Sequence, residues 1–203
     1  MYKFDERDLT SEKSLWDVFI LSKRILPSKL QVLTVSLTFL LLCVNSFLLT
    51  NDLSITLSNL RIWAEVGFTF STTVIGFLIA GFTIFATLSK PKMMLAMMDH
   101  INKSTGLPTL KYNFFAFMKV FIAYISALFF YISIMLFGQQ GGLVSNLVNL
   151  FPESDCIKYV LINIIYSLVG CTFIYLTLML KTFIFNIYAI VMNMLRWEYH
   201  QND

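Results

Sequence analysis

The chain has 203 residues, of which 57% are hydrophobic and 13% are charged, about half the charged share of an ordinary soluble domain. A soluble fold of this length cannot enclose so much apolar surface, which excludes a water-soluble globular protein and makes lipid the expected environment. A net charge of +3 and three cysteines indicate neither a strongly basic nucleic-acid-binding protein nor a disulfide-rich domain.

The chain opens with a hydrophilic N-terminal segment, residues 1 to 29, that contains an amphipathic helical pattern. Leu15, Phe19 and Leu26 fall on one side of this helix, and Asp17 falls opposite. The pattern predicts a helix that either lies in the lipid headgroup plane or docks on the bundle or on another chain. Because this segment precedes the first apolar run and no small-residue cleavage site follows it, we expect a retained span rather than a signal peptide.

Four apolar runs are long enough to cross a bilayer, which takes about 20 residues with few or no charges. They cover residues 30 to 51, 66 to 89, 113 to 137 and 159 to 181, approximately. We therefore predict an all-α polytopic membrane protein in which residues 30 to 203 form a four-helix transmembrane domain with flanking amphipathic helices.

The fourth run continues without Gly or Pro, which predicts a helical extension to about residue 196 beyond the bilayer. Phe183, Ile187, Ile190 and Met194 recur along it at helical spacing. Since water is an unfavourable environment for such a face, we expect it to pack on the connection between spans two and three, on a copy of itself or on a partner.

Lysine and arginine are distributed unevenly along the chain. Thirteen of the 15 lie before the first span, between the second span and the start of the third, or after the fourth. Only Arg61 and Lys158 lie in the other connections. Because basic residues are retained on the cytoplasmic side of a membrane, we expect both termini to be cytoplasmic.

The connection between the second and third spans reads KPKMMLAMMDHINK, residues 90 to 103, and places its methionines on one face of a short helix. Methionine adapts to irregular surfaces, so this face either rests on the lipid boundary or the fourth helix, or docks a cytoplasmic partner. The candidate partner-binding residues are Lys90, Lys92, Met93, Met94, Met97, Met98, Lys103 and Arg196.

The connection between the third and fourth spans begins with glycines and then becomes amphipathic. Gly138, Gly141 and Gly142 are expected to end the third helix, and an apolar pattern from Leu143 to Phe151 follows. We expect a short surface helix here, with a segment that re-enters the bilayer as the alternative.

The second span carries small residues at four-residue intervals. Thr72, Gly76 and Ala80, with Gly81 beside them, leave one stripe of this helix with little side-chain bulk. Such stripes let two helices approach closely in lipid. We expect these four residues to pack against a neighbouring helix of the same chain or, as the alternative, against a second copy.

Nothing in the sequence predicts an enzyme, a metal site or a cofactor. His100 and His200 have no Cys, Asp or Glu at metal-ligand spacing, and no glycine-rich phosphate loop or Ser-His-Asp set is present. None of the four apolar runs contains Asp or Glu, which argues against a proton-coupled exporter. We therefore expect no catalytic residue and no cofactor.

In its whole-chain plan, the sequence resembles the membrane subunits of the Kiwa anti-phage defence system. The features that carry this resemblance are four spans in about 200 residues, a basic N-terminal segment, the connection KPKMMLAMMDHINK and the second-span stretch FSTTVIGFLIAGFTIFATL. The resemblance implies a homotetramer in the bacterial inner membrane that detects phage-induced perturbation of the envelope. It also implies a cytoplasmic DNA-binding partner, but it transfers no site residue because no motif is shared.

Two functions are consistent with these features. The first is a non-enzymatic membrane scaffold or sensor that forms a homo-oligomer and docks a cytoplasmic effector protein, without binding nucleic acid itself. The alternative is an oligomeric ion channel or pore-forming effector that depolarises the membrane. Tyr124 and Tyr131, seven residues apart in the third span, are candidates for a helix contact or for a weakly polar pore lining.

Overall fold

The computed structural model describes residues 4 to 50, 52 to 139 and 141 to 202, and these are mostly helical, with no strand among them. The elements in chain order are α1 (Glu6–Leu9), α2 (Leu15–Ser22), α3 (Lys29–Val44) with a terminal π-helical turn (Asn45–Leu49), α4 (Leu53–Leu88), α5 (Pro91–Asp99), α6 (Thr109–Phe137), α7 (Leu143–Val148) and α8 (Ser154–Asn202).

Four of these helical segments are long and apolar enough to cross a membrane. They are Lys29–Leu49, Leu53–Thr87, Thr109–Phe137 and Ser154–Tyr199. Each contains one of the four predicted spans almost completely, so the expectation of an all-α polytopic membrane protein is confirmed.

Local signals in the sequence set the helix starts. The Ser14 hydroxyl accepts a hydrogen bond from the Asp17 backbone N–H at 3.2 Å, and the Ser28 hydroxyl caps α3 in the same way. The Asp52 carboxylate accepts from the Ser54 backbone N–H at 2.8 Å before α4, and Pro91 occupies the first turn of α5. These caps satisfy amide donors that a helix start leaves without partners.

Two helices are longer than a bilayer requires. With 36 and 49 residues, α4 and α8 have lengths of about 54 and 73 Å at 1.5 Å per residue, against roughly 30 Å of hydrocarbon. The region before the predicted second span, residues 53 to 65, is therefore helix rather than loop. The fourth helix also continues past its predicted span and ends at Asn202.

The chain forms two compact units. We call Met1–Leu26, Gly76–Ala123 and Met179–Asp203 the terminal unit, and Pro27–Ile75 and Tyr124–Leu178 the central unit. Each of the helices α4, α6 and α8 contributes to both units.

A phenylalanine cluster forms the core of the terminal unit. Phe117 of α6 and Phe183 of α8 are fully buried, and their ring centroids lie 5.3 Å apart. The ring centroids of Phe85 in α4 and Phe117 lie 5.1 Å apart, so side chains from three helices pack in one aromatic cluster. Gly81 allows this approach, since a Cβ there would lie 3.2 Å from the Phe183 ring. Aromatic pairs of this kind contribute about 0.5–1.5 kcal/mol beyond their buried area.

Two tyrosines of α6 form the core of the central unit. Tyr124 and Tyr131 have no exposed surface, and the Tyr124 hydroxyl donates to the Leu176 carbonyl of α8 at 2.9 Å. The Tyr131 ring lies against Gly67 of α4, where a Cβ would be 2.5 Å from Cζ. Both side chains therefore belong to a helix contact within the chain, the first of their two predicted roles, and do not line a pore.

The helix α3 is held against α8 by a few specific contacts. Leu42 lies over Gly170, where an added Cβ would be 2.5 Å from Cδ1 of Leu42. At the end of α3, the Tyr159 hydroxyl donates to the Phe47 carbonyl at 3.1 Å. Most of the remaining α3 surface is exposed leucine and valine, as expected of a helix that faces lipid.

Candidate functional site

The methionine face of α5 is directed into the chain itself. Met93 and Met98 retain 6% and 3% of their surface, and Met94 and Met97 are half-buried. A side chain with so little free surface offers almost no area to another protein. Of the two roles predicted for this face, packing within the chain is therefore the one that the structure shows for Met93 and Met98.

The basic members of the predicted partner-binding set are accessible. Lys90, Lys92, Lys103 and Arg196 are all exposed. Lys90 Nζ lies 2.6 Å from Glu198 Oε1, which links the start of α5 to the end of α8, but the two side chains remain 62% and 41% exposed. Exposed pairs of this kind contribute at most about 1 kcal/mol, so Lys90 is available to a competing acidic group.

A partly buried ion pair fixes the N-terminal segment within the terminal unit. Lys111 Nζ of α6 lies 2.8 and 3.0 Å from the two Glu12 carboxylate oxygens, and these side chains are only 13% and 14% exposed. Burial alone would raise the pKa of Glu12, but hydrogen bonds from Lys111 and Ser11 and the charge of Lys111 outweigh it. The pKa of Glu12 is therefore lowered from its ordinary value.

A second polar contact holds the end of the same segment. Lys119 Nζ of α6 donates to the Ile25 carbonyl at 2.5 Å, so its ammonium is bound to backbone just after α2. Meanwhile Trp16 and Ile20 of α2 are 65% and 48% exposed. The segment is thus docked on its own chain through polar groups, and α2 still presents apolar side chains outwards.

The four small residues of α4 divide into two groups. Gly81 packs within the chain, as described above. Thr72, Gly76 and Ala80 are exposed, and a Cβ at Gly76 would meet no atom within 4 Å. The expected contact with a neighbouring helix of the same chain is therefore present at Gly81 alone, and the other three residues face outwards.

The end of α8 carries an exposed apolar stripe that was not predicted from the sequence, and we call it the α8 seam. Its members recur at intervals of three, four and three residues: Phe185, Tyr188, Met192 and Leu195, with exposed fractions of 65%, 60%, 47% and 60%. This is the spacing of the contact positions in a coiled coil. The signal was present in the sequence, but a second apolar stripe on the opposite face obscured it.

That opposite stripe is the one identified from the sequence. Phe183 and Ile190 are 0% and 5% exposed, and Met194 accepts a 3.9 Å hydrogen bond from the buried Ser89 hydroxyl of the terminal unit. The expectation that this stripe would be covered is met by the chain itself. The α8 seam, about half a turn away around the helix, has no such cover in the single chain.

Comparison of the chain with protein-family models, curated proteins and solved structures finds no match. Within the described ranges, no group of three or more His, Cys, Asp or Glu side chains is placed to hold a metal ion. The function of the chain must therefore be inferred from its own surfaces and their chemistry.

Proposed function

We propose that the chain is a non-enzymatic membrane scaffold or sensor that self-associates and docks a cytoplasmic partner protein. The observation that carries the proposal is the α8 seam. Large apolar side chains at coiled-coil spacing extend along a helix that is too long to be contained within a bilayer.

The geometry of a membrane favours a second copy as the occupant of this seam. About 20 of the 49 residues of α8 suffice to cross the hydrocarbon, so roughly half of the helix projects beyond it. Every copy inserts with the same orientation, and neighbouring α8 helices therefore run parallel. In a parallel arrangement each seam meets its own equivalent, which is the requirement for a symmetric coiled coil.

The energy available from this contact is substantial. Fully burying a large apolar side chain gains about 1.5–3 kcal/mol, and the four seam residues are roughly half exposed, so each gains about 1 kcal/mol per copy. The copies are already confined to one membrane, which reduces the entropic cost of association. The seam is therefore sufficient to support a homo-oligomer.

The accessible basic residues support a protein partner with an acidic surface. Lys90, Lys92 and Arg196 are exposed near the helix ends that carry the Lys90–Glu198 pair, and Lys103 is exposed after α5. Complementary charge chiefly guides encounter and orientation, while apolar contact supplies affinity. The exposed apolar side chains of α2, Trp16 and Ile20, are suited to the latter role.

The resemblance to Kiwa membrane subunits extends the proposal to bacterial anti-phage defence. In that setting the chain would lie in the inner membrane with both termini in the cytoplasm, an orientation supported by thirteen of its 15 basic residues. The partner would then be the cytoplasmic effector that binds DNA, and the chain itself would not contact nucleic acid.

An ion channel is the second candidate function, and the outward stripe of α4 is the observation that favours it. Thr72, Gly76 and Ala80 would give an oligomer a weakly polar wall if they faced a shared axis. However, the Thr72 hydroxyl already donates to the Phe68 carbonyl at 2.6 Å and so is bonded within its own helix. Because its hydroxyl is already hydrogen-bonded within the helix, this stripe of α4 is equally suited to contact with lipid or to close packing on another helix, and it does not by itself indicate a pore. The scaffold is therefore the preferred function.

The partner proposal is tested by affinity purification of the full-length chain from its native host in a mild detergent. Simultaneous Lys90→Glu, Lys92→Glu and Lys103→Glu substitutions should reduce recovery of the co-purifying protein. A matched triple reversal at Lys13, Arg24 and Lys29, which are also exposed, controls for the change in net charge. Equal recovery with the two variants would contradict a docking role for the first set.

The channel candidate is tested separately, with the purified chain reconstituted into sealed vesicles under an ion gradient. Dissipation of the gradient that depends on the chain would favour the channel. A retained gradient, together with a stable oligomer, would favour the scaffold.

A further inference from the structure

A cavity of about 360 Å³ lies within the central unit, among residues of α4, α6, α7 and α8. Its volume lies near the lower end of the range of about 300–1,000 Å³ that is typical of small-molecule sites. The wall is predominantly apolar and includes Leu60, Phe130, Ile134, Val148, Leu161 and Ile165. Such a lining suits a hydrocarbon chain and offers few partners to a small polar solute.

Two cationic side chains also border this cavity. They are Arg61 of α4 and Lys158 of α8, the two of the 15 basic residues that the sequence places away from the basic side. Their occurrence at one cavity is unexpected, since the positive-inside bias disfavours lysine and arginine on the opposite side of the membrane. We therefore looked for a role of these two cations at the cavity itself.

Neither cation is neutralised by a close, buried carboxylate. Lys158 Nζ lies 3.7 Å from Asp155, whose side chain is 99% exposed, so that pair is weak. Arg61 donates to the Gly138 carbonyl at 2.9 Å and makes no ion pair with any described residue. It also borders a smaller adjoining space that Glu65 shares, one turn further along α4. A guanidinium has five N–H donors, so this one carbonyl leaves most of them available.

We propose that this cavity binds an acyl chain of an anionic phospholipid, with the lipid phosphate held by Arg61 and Lys158. An apolar chamber with cations at its border matches a molecule that joins a hydrocarbon tail to an anion. Arginine pairs with phosphate through two parallel hydrogen bonds, and lysine adds a point charge. A zwitterionic lipid would bring its own cation towards these two groups and is disfavoured by the same electrostatics.

This inference does not depend on the proposed scaffold function. In the orientation proposed above, the lipid would come from the leaflet opposite the cytoplasm. The selectivity arises from the headgroup, because an acyl chain gains little by moving from bilayer to an apolar cavity, whereas each basic residue contributes an electrostatic attraction to anionic lipid.

The test uses the purified full-length chain, reconstituted in vesicles that contain equal parts of phosphatidylglycerol and phosphatidylcholine. The phosphatidylglycerol carries a photoreactive diazirine in its acyl chain. Two readouts are taken: the phosphatidylglycerol retained per chain after extraction into mild detergent, and the position of the cross-linked peptide by mass spectrometry. We expect preferential retention of phosphatidylglycerol and labelling of residues that line the cavity.

Two variants separate headgroup from tail, and neither removes the Arg61 contact to Gly138. Lys158→Gln should reduce phosphatidylglycerol retention about five-fold, the effect of one basic residue near an anionic lipid surface. Ser145→Trp fills the cavity from α7 while both charges remain, and should abolish labelling of its wall. Lys13→Gln removes an exposed charge elsewhere and serves as the matched control.

Every outcome either supports or overturns the lipid site. Reduced retention with Lys158→Gln and lost labelling with Ser145→Trp, but not with Lys13→Gln, would support the site. Equal retention of the two lipids by the unmodified chain, or equal retention by Lys158→Gln and Lys13→Gln, would overturn it. Unchanged labelling in a Ser145→Trp protein of normal helical content would show annular lipid only and would overturn it as well. If Ser145→Trp does not fold, the comparison of Lys158→Gln with Lys13→Gln decides alone.

Discussion

Two glycines of α4 provide a direct test of how this helix packs. At Gly67, an added Cβ would lie 2.5 Å from Cζ of Tyr131 and 2.8 Å from its Cε1 and Cε2 atoms. At Gly76, an added Cβ would meet nothing within 4 Å. We predict that Gly67→Ala destabilises the chain, whereas Gly76→Ala leaves its stability unchanged or slightly increased.

The magnitude follows from the comparison of the two variants. Both substitutions gain the same intrinsic helix propensity, about 0.8–1.0 kcal/mol, which cancels in the difference. Carbon atoms pack at about 3.5–4.0 Å, so the Gly67 methyl overlaps the ring by roughly 1 Å. Since Tyr131 is fully buried, its ring cannot swing into free space. Overpacking of this kind costs about 1–3 kcal/mol, and this is the expected difference between the two variants.

The measurement is thermal unfolding of the full-length chain in one detergent, followed by circular dichroism, with mass photometry as a check of stoichiometry. For a chain of this size, each kcal/mol lowers the Tm by about 2–4 °C, so Gly67→Ala should melt several degrees below Gly76→Ala. A double variant, Gly67→Ala with Tyr131→Leu, should lose less than the sum of its single changes. Equal melting temperatures for Gly67→Ala and Gly76→Ala would refute the close contact between α4 and α6.

Three further predictions follow from the contacts described above. Since the pKa of Glu12 is lowered in the folded chain, its pair with Lys111 contributes above the ordinary value of 4.5 and is lost as pH falls through the lowered pKa. The protection factors of the amides in residues 14 to 22, each taken against the intrinsic exchange rate at the same pH, should therefore fall on acidification, and Glu12→Gln should give low protection at every pH. Leu195→Lys should lower the oligomer mass without loss of helix, whereas Asn193→Lys, exposed but outside the α8 seam, should not. Phe117→Ala should cost about 3–5 kcal/mol, read as a lower Tm.

The sequence predicted the four long apolar helices more reliably than the positions where those helices begin and end. The predicted second span begins at Val66 because Glu65 carries a charge, and the solvation cost of charge is what defines a membrane segment. Helix termination depends instead on glycine, proline and capping groups, and none interrupts residues 53 to 65. For this reason α4 continues through Arg61, and the connection before the predicted second span is helical.

Amphipathic patterns identified surfaces that must be covered but not what covers them. The methionine pattern of α5 and the Phe183 stripe of α8 both indicated apolar faces in need of a partner, and periodicity contains no information about its identity. In the structure Met93 and Met98 of the first face, and Phe183 and Ile190 of the second, are buried within the chain. Cavities are harder still to predict, because residues as distant in sequence as Arg61 and Lys158 converge only after the helices pack.

The two faces of α8 have different proposed roles, one in the folding of the single chain and the other in the assembly of copies. Substitutions on the second face alone can therefore refute the scaffold proposal. The inner face carries the fully buried Phe183 and contributes to the stability of the single chain, whereas the α8 seam contributes only if another copy covers it. Polar substitutions along the seam should therefore lower oligomer mass and make the Tm independent of protein concentration, and the dissociated chain should keep its helical content. If such variants unfold instead, the seam has a role within the single chain. If they keep the full oligomer mass, another surface, such as the outward stripe of α4 at Gly76, holds the copies together.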